Sequence, residues 1–484
     1  MPNSGFDLFA AAHQEMVDEG FDPDFPPGVD DQLGAIRARF SSQPGGGVRD
    51  LRSLLWSSID NDTSRDLDQT EVAERVEGGI RLRVAIADVD SAVTIGTPID
   101  RHAAGQTTSV YTGVRTFSML PEQLSTDLTS LNESSDRLSI VIEMVVGEDG
   151  AVTSPAVYRA MTRNYAQLTY NGVGAWLEGT AGPPAKVAAS ADLQAQLKLQ
   201  DEAAQKLLDE RHRMGALSLD RVEAEAVLSD GQVAGIKVRK KNRATELIEN
   251  FMVAANGVMA STLSQAGVSS IRRVVKTPER WPRIVELAAR YGDHLPAEPD
   301  SGALNAFLQK RKAADAVHYA DVSLAVVKLM GPGEYVLARK GEAAPGHFAL
   351  AATDYTHSTA PNRRFADTVT QRLIKSVIAK EASPYSDQEL DAIAQNCTAK
   401  EDAARKVERV MSKRIAAVAL RPRIGQTFSA VVTGVTPKGV FVRITDPPAE
   451  GILMRGEQGV DVGDQIRVKL VSTDPRRGYI DFAR

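Results

Sequence analysis

Five acidic side chains stand close together in the sequence, directly after an apolar segment. They are Asp60, Asp62, Asp66, Asp68 and Glu71. Like charges held a few Å apart repel each other by about 1 kcal/mol per pair even in water, so the cluster is either spread into solvent or gathered around a cation. Carboxylate oxygens are the ligands that Mg²⁺, Mn²⁺ and Ca²⁺ prefer. The spacing therefore predicts either a solvated acidic loop or a site for a divalent metal ion.

The segment that follows the acids favours the metal site. Residues 80–89 alternate in the pattern of a strand with one apolar face, which places the acids at the entrance to a sheet. An EF-hand calcium loop is an alternative, because the acids and Ser64 occupy positions 1, 3, 5, 7, 9 and 12 of such a loop. That loop requires a Gly at position 6, where this chain has Arg65. Its flanks also predict strands rather than helices.

Seven blocks of sequence resemble the motifs of the RNase II/RNase R (RNB) family of exoribonucleases, in the order that the family has them. They are residues 59–68, 84–89, 108–111, 119–125, 130–132, 247–256 and 355–367. The resemblance implies a 3′→5′ exoribonuclease that hydrolyses single-stranded RNA to nucleoside 5′-monophosphates. It also implies Mg²⁺ as the cofactor, for which Mn²⁺ can substitute, and we expect a cytoplasmic monomer with no membrane contact.

The resemblance also assigns roles in catalysis and metal binding. Asp60, Asp66 and Asp68 match the family's metal-binding aspartates, and Asp68 matches the one that the family can least do without. Gln69 stands where the family has a fourth aspartate; its amide oxygen can bind a metal ion but brings no charge, so a second ion would be held less tightly unless Asp62 or Glu71 compensates. Arg363 matches the family's catalytic arginine, and we expect it in the first turn of a helix over 362–380.

A second group of residues is expected to bind RNA. Tyr111 matches the family's aromatic residue that stacks near the 3′-terminal nucleotides, and stacking contributes about 1–3 kcal/mol per base. Arg364 is expected to pair with Asp367 or another acid close to the RNA. In the C-terminal segment the expected RNA-binding residues are Lys438, Phe441, Arg443 and Lys469. The family often has a His at the position of Val275, so the second stacking residue is left unassigned.

A chain of 484 residues exceeds what one hydrophobic core usually supports. We expect an α+β protein in three parts. Residues 1–47 form a small helical unit that either docks on the main domain or resembles a helix-turn-helix, and it stands where the family usually has cold-shock domains. Residues 48–420 form the RNB catalytic domain, with a mixed sheet and helices near 190–214 and 245–263. Residues 421–484 resemble an S1-type OB-fold β-barrel.

Composition and charge are consistent with this organisation. The chain is 43% hydrophobic and 25% charged, with a net charge of −6 and one cysteine, so no intrachain disulfide can form. Residues 1–70 carry 5 Lys and Arg against 13 Asp and Glu, whereas residues 403–484 carry 15 against 8. The basic C-terminal part therefore suits a phosphate backbone.

The alternative function is an RNA-binding protein of the same fold in which Gln69 has weakened or silenced the nuclease.

Overall fold

The computed structural model describes residues 6–39, 46–220, 223–229, 232–239, 241–316, 319–343, 345–437 and 439–484. The helices are α1 (Leu8–Asp18), α2 (Val29–Arg39), α3 (Pro98–Gln106), α4 (Tyr170–Leu177), α5 (Ala185–Ala188), α6 (Ala191–Arg213), α7 (Arg243–Gln265), α8 (Trp281–Arg290), α9 (Ser301–Ala314), α10 (Tyr319–Met330), α11 (Phe365–Ala379) and α12 (Asp387–Leu420). The strands are β1 (Arg49–Asp50), β2 (Trp56–Asp60), β3 (Gln69–Val76), β4 (Gly79–Ala87), β5 (Val110–Tyr111), β6 (Thr116–Phe117), β7 (Asp136–Val146), β8 (Val152–Thr169), β9 (Glu223–Ser229), β10 (Gln232–Arg239), β11 (Ser270–Val274), β12 (Glu334–Ala338), β13 (Thr427–Thr436), β14 (Gly439–Thr445), β15 (Pro448–Arg455), β16 (Gln465–Asp474) and β17 (Tyr479–Ala483). This mixture of helices and sheets confirms the predicted α+β class.

A six-stranded mixed sheet lies at the centre, with strand order β1-β8-β2-β3-β4-β7. Strand β2 runs parallel to β8, while β3, β4 and β7 pair antiparallel. Alternate side chains of β4 enter two different clusters: Leu82 and Val84 join the large core, and Ala85 packs with Trp56 on the other face. The acidic loop joins β2 to β3, so it lies at the end of two central strands of this sheet.

Helices α6, α7 and α11 pack their apolar faces into the large core. Helix α7 begins with a capping box, in which Asn242 accepts from the backbone of Thr245 and Thr245 accepts from the backbone of Asn242. Its side chains Leu247, Phe251 and Ala255 are fully buried, as their spacing of four residues predicts. The helices expected near 190–214 and 245–263 are thus confirmed as α6 and α7.

The helix expected over 362–380 begins later than predicted. Helix α11 starts at Phe365, and Arg363 lies in the preceding turn. The cause is a tertiary contact: Arg364 forms an antiparallel bridge with Thr108, and the Phe365 amide donates to the Thr107 carbonyl at 2.8 Å. These bonds hold Arg364 in an extended conformation, so the chain turns helical only after it.

The C-terminal segment forms a closed five-stranded barrel with strand order β13-β14-β15-β17-β16. Its core contains Phe428, Val442, Val468 and Phe482, and the end of α12 packs against the barrel. Strand β15 was not predicted, because its proline, Pro448, and its glycine, Gly451, are unfavourable in strands and interrupt the alternating pattern.

The two N-terminal helices pack on the rest of the chain. Helix α1 contacts α12, and α2 contacts α3. The sequence spacing predicts one helical face made of Phe6, Phe9, His13, Met16 and Val17. This prediction was partly wrong, because Phe9 and Val17 are exposed while Leu8, Ala12 and Met16 are buried. The sequence also predicts Ser4 as the cap of this helix, and Ser4 lies outside the described residues; the N-cap is Asp7. No helix in the described ranges has the length and apolar composition needed to cross a membrane.

Candidate active site

The site is built around a contact between two predicted residues that are far apart in sequence. Arg363 Nε lies 3.2 Å from Asp68 Oδ2, and the backbone N–H of Asn362 donates to Asp68 Oδ1 at 3.0 Å. The Asp68 side chain is 1% exposed, whereas that of Arg363 is 46% exposed. Asp68 therefore fixes one edge of the guanidinium and leaves the rest of it open to a ligand.

Burial controls the titration of the neighbouring carboxyl groups. Burial raises the pKa of Asp68 to about 7, the charge of Arg363 opposes this shift, and the charge of Asp66 adds to it. Burial also raises the pKa of Asp66, where Arg363 lowers it and Asp60 raises it further. Three aspartates thus share one electrostatic environment, which a cation would stabilise.

The acidic loop has a defined conformation. Asp60 Oδ1 accepts from the Asn61 amide at 2.7 Å and from the Ser64 hydroxyl at 2.8 Å. The end of the loop is anchored by Ser130, whose hydroxyl accepts from the Leu67 amide and donates to a loop carbonyl. These bonds order the backbone that carries Asp66 and Asp68.

Of the two side chains that could compensate for Gln69, Asp62 binds elsewhere, whereas Glu71 lies on the same face of β3 as Gln69. Asp62 accepts from Asn171 at 2.6 Å. Glu71 lies fully buried within β3, beside Ala73 of the large core by the alternation of the strand. Gln69 itself is 4% exposed, and its amide nitrogen lies 3.5 Å from the Ile59 carbonyl. Because strands β2 and β3 flank this loop, it is not part of the helix–loop–helix of an EF-hand.

Asp60, Asp66 and Asp68 are the carboxyl groups of this site that could take part in binding a metal ion. Within the described residues no three His, Cys, Asp or Glu side chains converge closely enough to enclose an ion. Mg²⁺ commonly takes one or two protein carboxylates and completes its shell with water and substrate phosphate. The charges of Asp60 and Asp66 act on each other, and Asp68 accepts from Arg363.

Tyr111 lies next to this site on the β5–β6 hairpin. The residue is 44% exposed, and its backbone N–H donates to Glu408 at 3.1 Å. Burial raises the pKa of its hydroxyl to about 12; Arg363 lowers it, while Asp66 and Asp68 raise it further. The ring is therefore close to the charged groups and still accessible to a base.

Arg364 belongs to a buried polar network behind Arg363. Two of its nitrogens donate to Asp367 at 2.9 and 2.8 Å. Close by, the Tyr335 hydroxyl is hydrogen-bonded to His357 Nδ1 at 2.8 Å. Burial lowers the pKa of His357, and the neighbouring charges of Arg364 and Arg273 lower it further. A neutral imidazole and a paired arginine thus support the turn that carries Arg363.

Sequence reasoning missed the residues that continue from this network into a cleft. Arg273 makes two hydrogen bonds to Glu401, at 2.5 and 2.9 Å, and its guanidinium carbon lies 4.8 Å from the centre of the Tyr335 ring. A cavity of about 940 Å³ opens beyond Arg273, and its basic lining residues are Arg273, Lys276, Arg280, Lys328 and Arg405. The basic residues are scattered in sequence, so no local pattern could have predicted this cleft.

The four barrel residues that were predicted to bind RNA have different surroundings. Phe441 is half-buried and lies on β14 between the inward-facing Val440 and Val442, so it faces outward. Arg443, on the same outer face, forms an ion pair with Asp321 of α10. Lys469 is exposed on β16, and Lys438 lies outside the described residues.

Comparison with known proteins agrees with the fold. Residues 48–380 match the RNB domain family, and residues 426–484 match the RNase II-type exonuclease C-terminal S1 domain. The chain belongs to the RNB family. The RNB match covers both the acidic loop and the turn that carries Arg363, so the Asp68–Arg363 contact lies within the family domain.

Among curated proteins, ribonuclease R of Thermotoga maritima is 30% identical over 500 residues, which cover 95% of this chain and 68% of that protein. Ribonuclease R 1 of Lactococcus lactis is 29% identical and ribonuclease R of Escherichia coli is also 29% identical. This RNB-family chain spans 61% and 60% of the length of those two relatives.

Two solved structures have folds similar to that of this chain. Mycoplasma genitalium RNase R, in complex with ribose-methylated single-stranded RNA, superposes with a TM-score of 0.89 at 23% identity, covering 99% of this chain and 78% of that one. Yeast Ssd1, a pseudonuclease, has a TM-score of 0.70 at 16% identity, covering 92% and 56%. The RNB fold alone therefore does not decide whether a member cleaves RNA.

Proposed function

We propose that this protein is a magnesium-dependent exoribonuclease that degrades single-stranded RNA from its 3′ end and releases nucleoside 5′-monophosphates. The observation that carries the proposal is the Asp68–Arg363 contact, in which a buried carboxylate holds a half-exposed guanidinium beside Asp66. A planar guanidinium fixed along one edge is suited to a phosphate whose charge increases during cleavage. The family relationship supports the same reaction.

Each residue of the site has a distinct task in this proposal. Arg363 binds the scissile phosphate, and Asp68 keeps its guanidinium oriented. Asp60 and Asp66 would hold the metal ion, which when bound supplies Lewis-acid activation of the phosphate and of the attacking water. Tyr111 stacks on a terminal base and so fixes the scissile phosphate at the site.

The basic cleft is the proposed path of the RNA toward the site. Neither Arg280 nor Lys328 has an acidic partner among the residues that the structure describes, and both are exposed. Lys328 follows Leu324 and Asp321 on one face of α10, at spacings of four and seven residues, and Asp321 binds the barrel through Arg443. In this proposal, a single strand of RNA that is bound by Phe441 and Lys469 on the barrel follows α10 into the cleft that Arg273 lines.

The test is the fate of 5′-labelled single-stranded RNA with wild type and with Asp68→Asn, in Mg²⁺ or in EDTA. We expect a ladder that shortens from the 3′ end and release of nucleoside 5′-monophosphates, both abolished by EDTA and by Asp68→Asn. Internal cleavage, or products with 3′-phosphates, would contradict the proposal. Asp62→Asn is the matched control, because Asp62 lies in the same loop but binds Asn171.

A second candidate is an RNA-binding protein without nuclease activity. Gln69 favours it, because an amide replaces a carboxylate that the family usually has at this position. In that case RNA should bind but stay intact in both Mg²⁺ and Mn²⁺. A cytoplasmic location and a monomeric state are further predictions, which cell fractionation and sedimentation velocity would measure.

A further inference from the structure

The hairpin that carries Tyr111 is held from two sides. On one side it is bonded to the turn of Arg363, since the Ser109 amide donates to the Arg363 carbonyl at 3.0 Å and Thr108 bridges to Arg364. On the other side its apolar residues Val110 and Phe117 are 0% and 5% exposed. The hairpin has no large core of its own, so the elements behind it determine its position.

Those elements are helix α1 and the middle of α12. One cluster of buried side chains contains the hairpin residues together with Leu8, Ala12 and Met16 of α1 and Val407 and Met411 of α12. A direct contact is also present, because the rings of His13 and Phe117 meet edge to face with centroids 6.3 Å apart. Helix α1 thus packs directly behind the hairpin.

Polar contacts fix the position of α1 along α12. Arg414 binds Glu15 at 2.9 Å, and Glu15 is 8% exposed. One helical turn further, Lys406 binds Glu19 at 2.6 Å. The same stretch of α12 supplies Glu408, which accepts from the Tyr111 amide. A shift of α1 would therefore be transmitted to the apolar cluster behind the hairpin and to α12, whose Glu408 holds the Tyr111 amide.

We propose that α1 is a positioning element for the terminal nucleotide: by packing behind the β5–β6 hairpin it holds Tyr111 at its working distance from Arg363. The inference rests on the proposed binding of RNA at Tyr111, but it does not require that the RNA be cleaved. Met16, at 1% exposure, is the residue of α1 through which the effect can best be tested.

The experiment measures binding of a single-stranded RNA with 2-aminopurine as its 3′-terminal base, in EDTA to prevent cleavage. Stacking on Tyr111 should quench the fluorescence of this base in the wild type. Met16→Ala should weaken the quenched complex about three- to tenfold, an effect typical of coupled neighbours. Met16→Leu, which nearly conserves volume, should restore it. Leu33→Ala is the matched control, since Leu33 on α2 is also buried, at 6% exposure, but belongs to the large core.

A double-mutant cycle separates positioning from a general loss of stability. If Met16 acts through Tyr111, Met16→Ala should add little to the effect of Tyr111→Ala, and Leu33→Ala should change binding little in either background. Additive effects of Met16→Ala and Tyr111→Ala would overturn the inference, as would equal losses for Met16→Ala and Leu33→Ala, or an unquenched wild-type complex. If quenching follows the expected pattern but RNA stays intact in Mg²⁺ and Mn²⁺, the proposed nuclease function fails and the positioning role stands.

Discussion

Asp68 and Glu71 are two buried carboxyl groups on the same stretch of chain, but their surroundings differ. Asp68 accepts from the Asn362 amide and from Arg363. Neither oxygen of Glu71 has a hydrogen-bond partner among the described residues. Burial raises the pKa of both groups, to about 7 for Asp68 and well above the ordinary value for Glu71, where the charge of Asp60 adds to the shift.

The difference shows that burial by itself does not make a carboxyl group functional. A buried acid without a partner is stable mainly in its neutral form, and a neutral acid attracts neither a cation nor an arginine. Asp68 differs because the turn of Arg363 reaches it from another part of the chain. The partner, rather than the degree of burial, separates the site from the core.

The largest effect is expected from removing that partner. Arg363→Ala should lower kcat by about 10³-fold or more, because a guanidinium that stabilises a transferring phosphate typically contributes this much. Arg363→Lys should recover only part of the loss, since an ammonium cannot make the bidentate contact. Single-turnover cleavage of RNA in Mg²⁺ measures both variants. An activity within tenfold of wild type for Arg363→Ala would remove Arg363 from the reaction.

An intermediate effect is expected from Glu71, on the way the free energy of unfolding changes with pH. Since the pKa of Glu71 is raised in the folded protein, the folded state keeps a proton that the unfolded state releases above about pH 4.3. The contribution of Glu71 to stability should therefore be fully present below that pH and fall by about 1.4 kcal/mol per pH unit as pH rises toward the folded pKa. Glu71→Gln should remove this part of the decrease and leave the parts that come from Asp66 and Asp68.

Urea unfolding of wild type and of Glu71→Gln between pH 5 and pH 8 measures the difference. Glu74→Gln serves as the control, because Glu74 lies on the same strand but binds Arg81 and Arg83 at its surface. Parallel stability curves for wild type and Glu71→Gln would mean that Glu71 is charged in the folded protein and has a partner.

The smallest effect is expected from a new carboxylate at position 69, which lies between Asp68 and Glu71 in the sequence. Gln69→Asp introduces a carboxylate at the position where the family has its fourth aspartate. If this side chain behaves like Asp68, the Mg²⁺ concentration for half-maximal activity should fall a few-fold, as added ligand charge tightens cation binding. If it behaves like Glu71, the Mg²⁺ requirement stays constant and the variant loses stability as pH rises. A Mg²⁺ titration with a parallel urea melt distinguishes the two outcomes.

Much of the fold follows from patterns that are local in sequence. The period of β4, the amphipathic faces of α6 and α7 and the alternation in β13 and β14 are each set by neighbouring residues. The acidic loop was likewise visible as an unusual density of carboxylates, and the family motifs identified Asp68 and Arg363. Errors arose where a distant contact overrode a local pattern: Thr108 delays the start of α11, and packing on α12 selects Leu8, Ala12 and Met16 of α1 rather than Phe9 and Val17.

The sequence by itself therefore determined the class of the protein, its family and the chemical types available at the site. Only the tertiary structure decided that Arg363 meets Asp68, 295 residues away, that Glu71 meets no hydrogen-bond partner within the described ranges, and that Arg273 joins Glu401 at the mouth of a basic cleft. The physical reason is that helical and strand periods depend on residues a few positions apart, whereas the partner of a buried charge is chosen by the path of the whole chain.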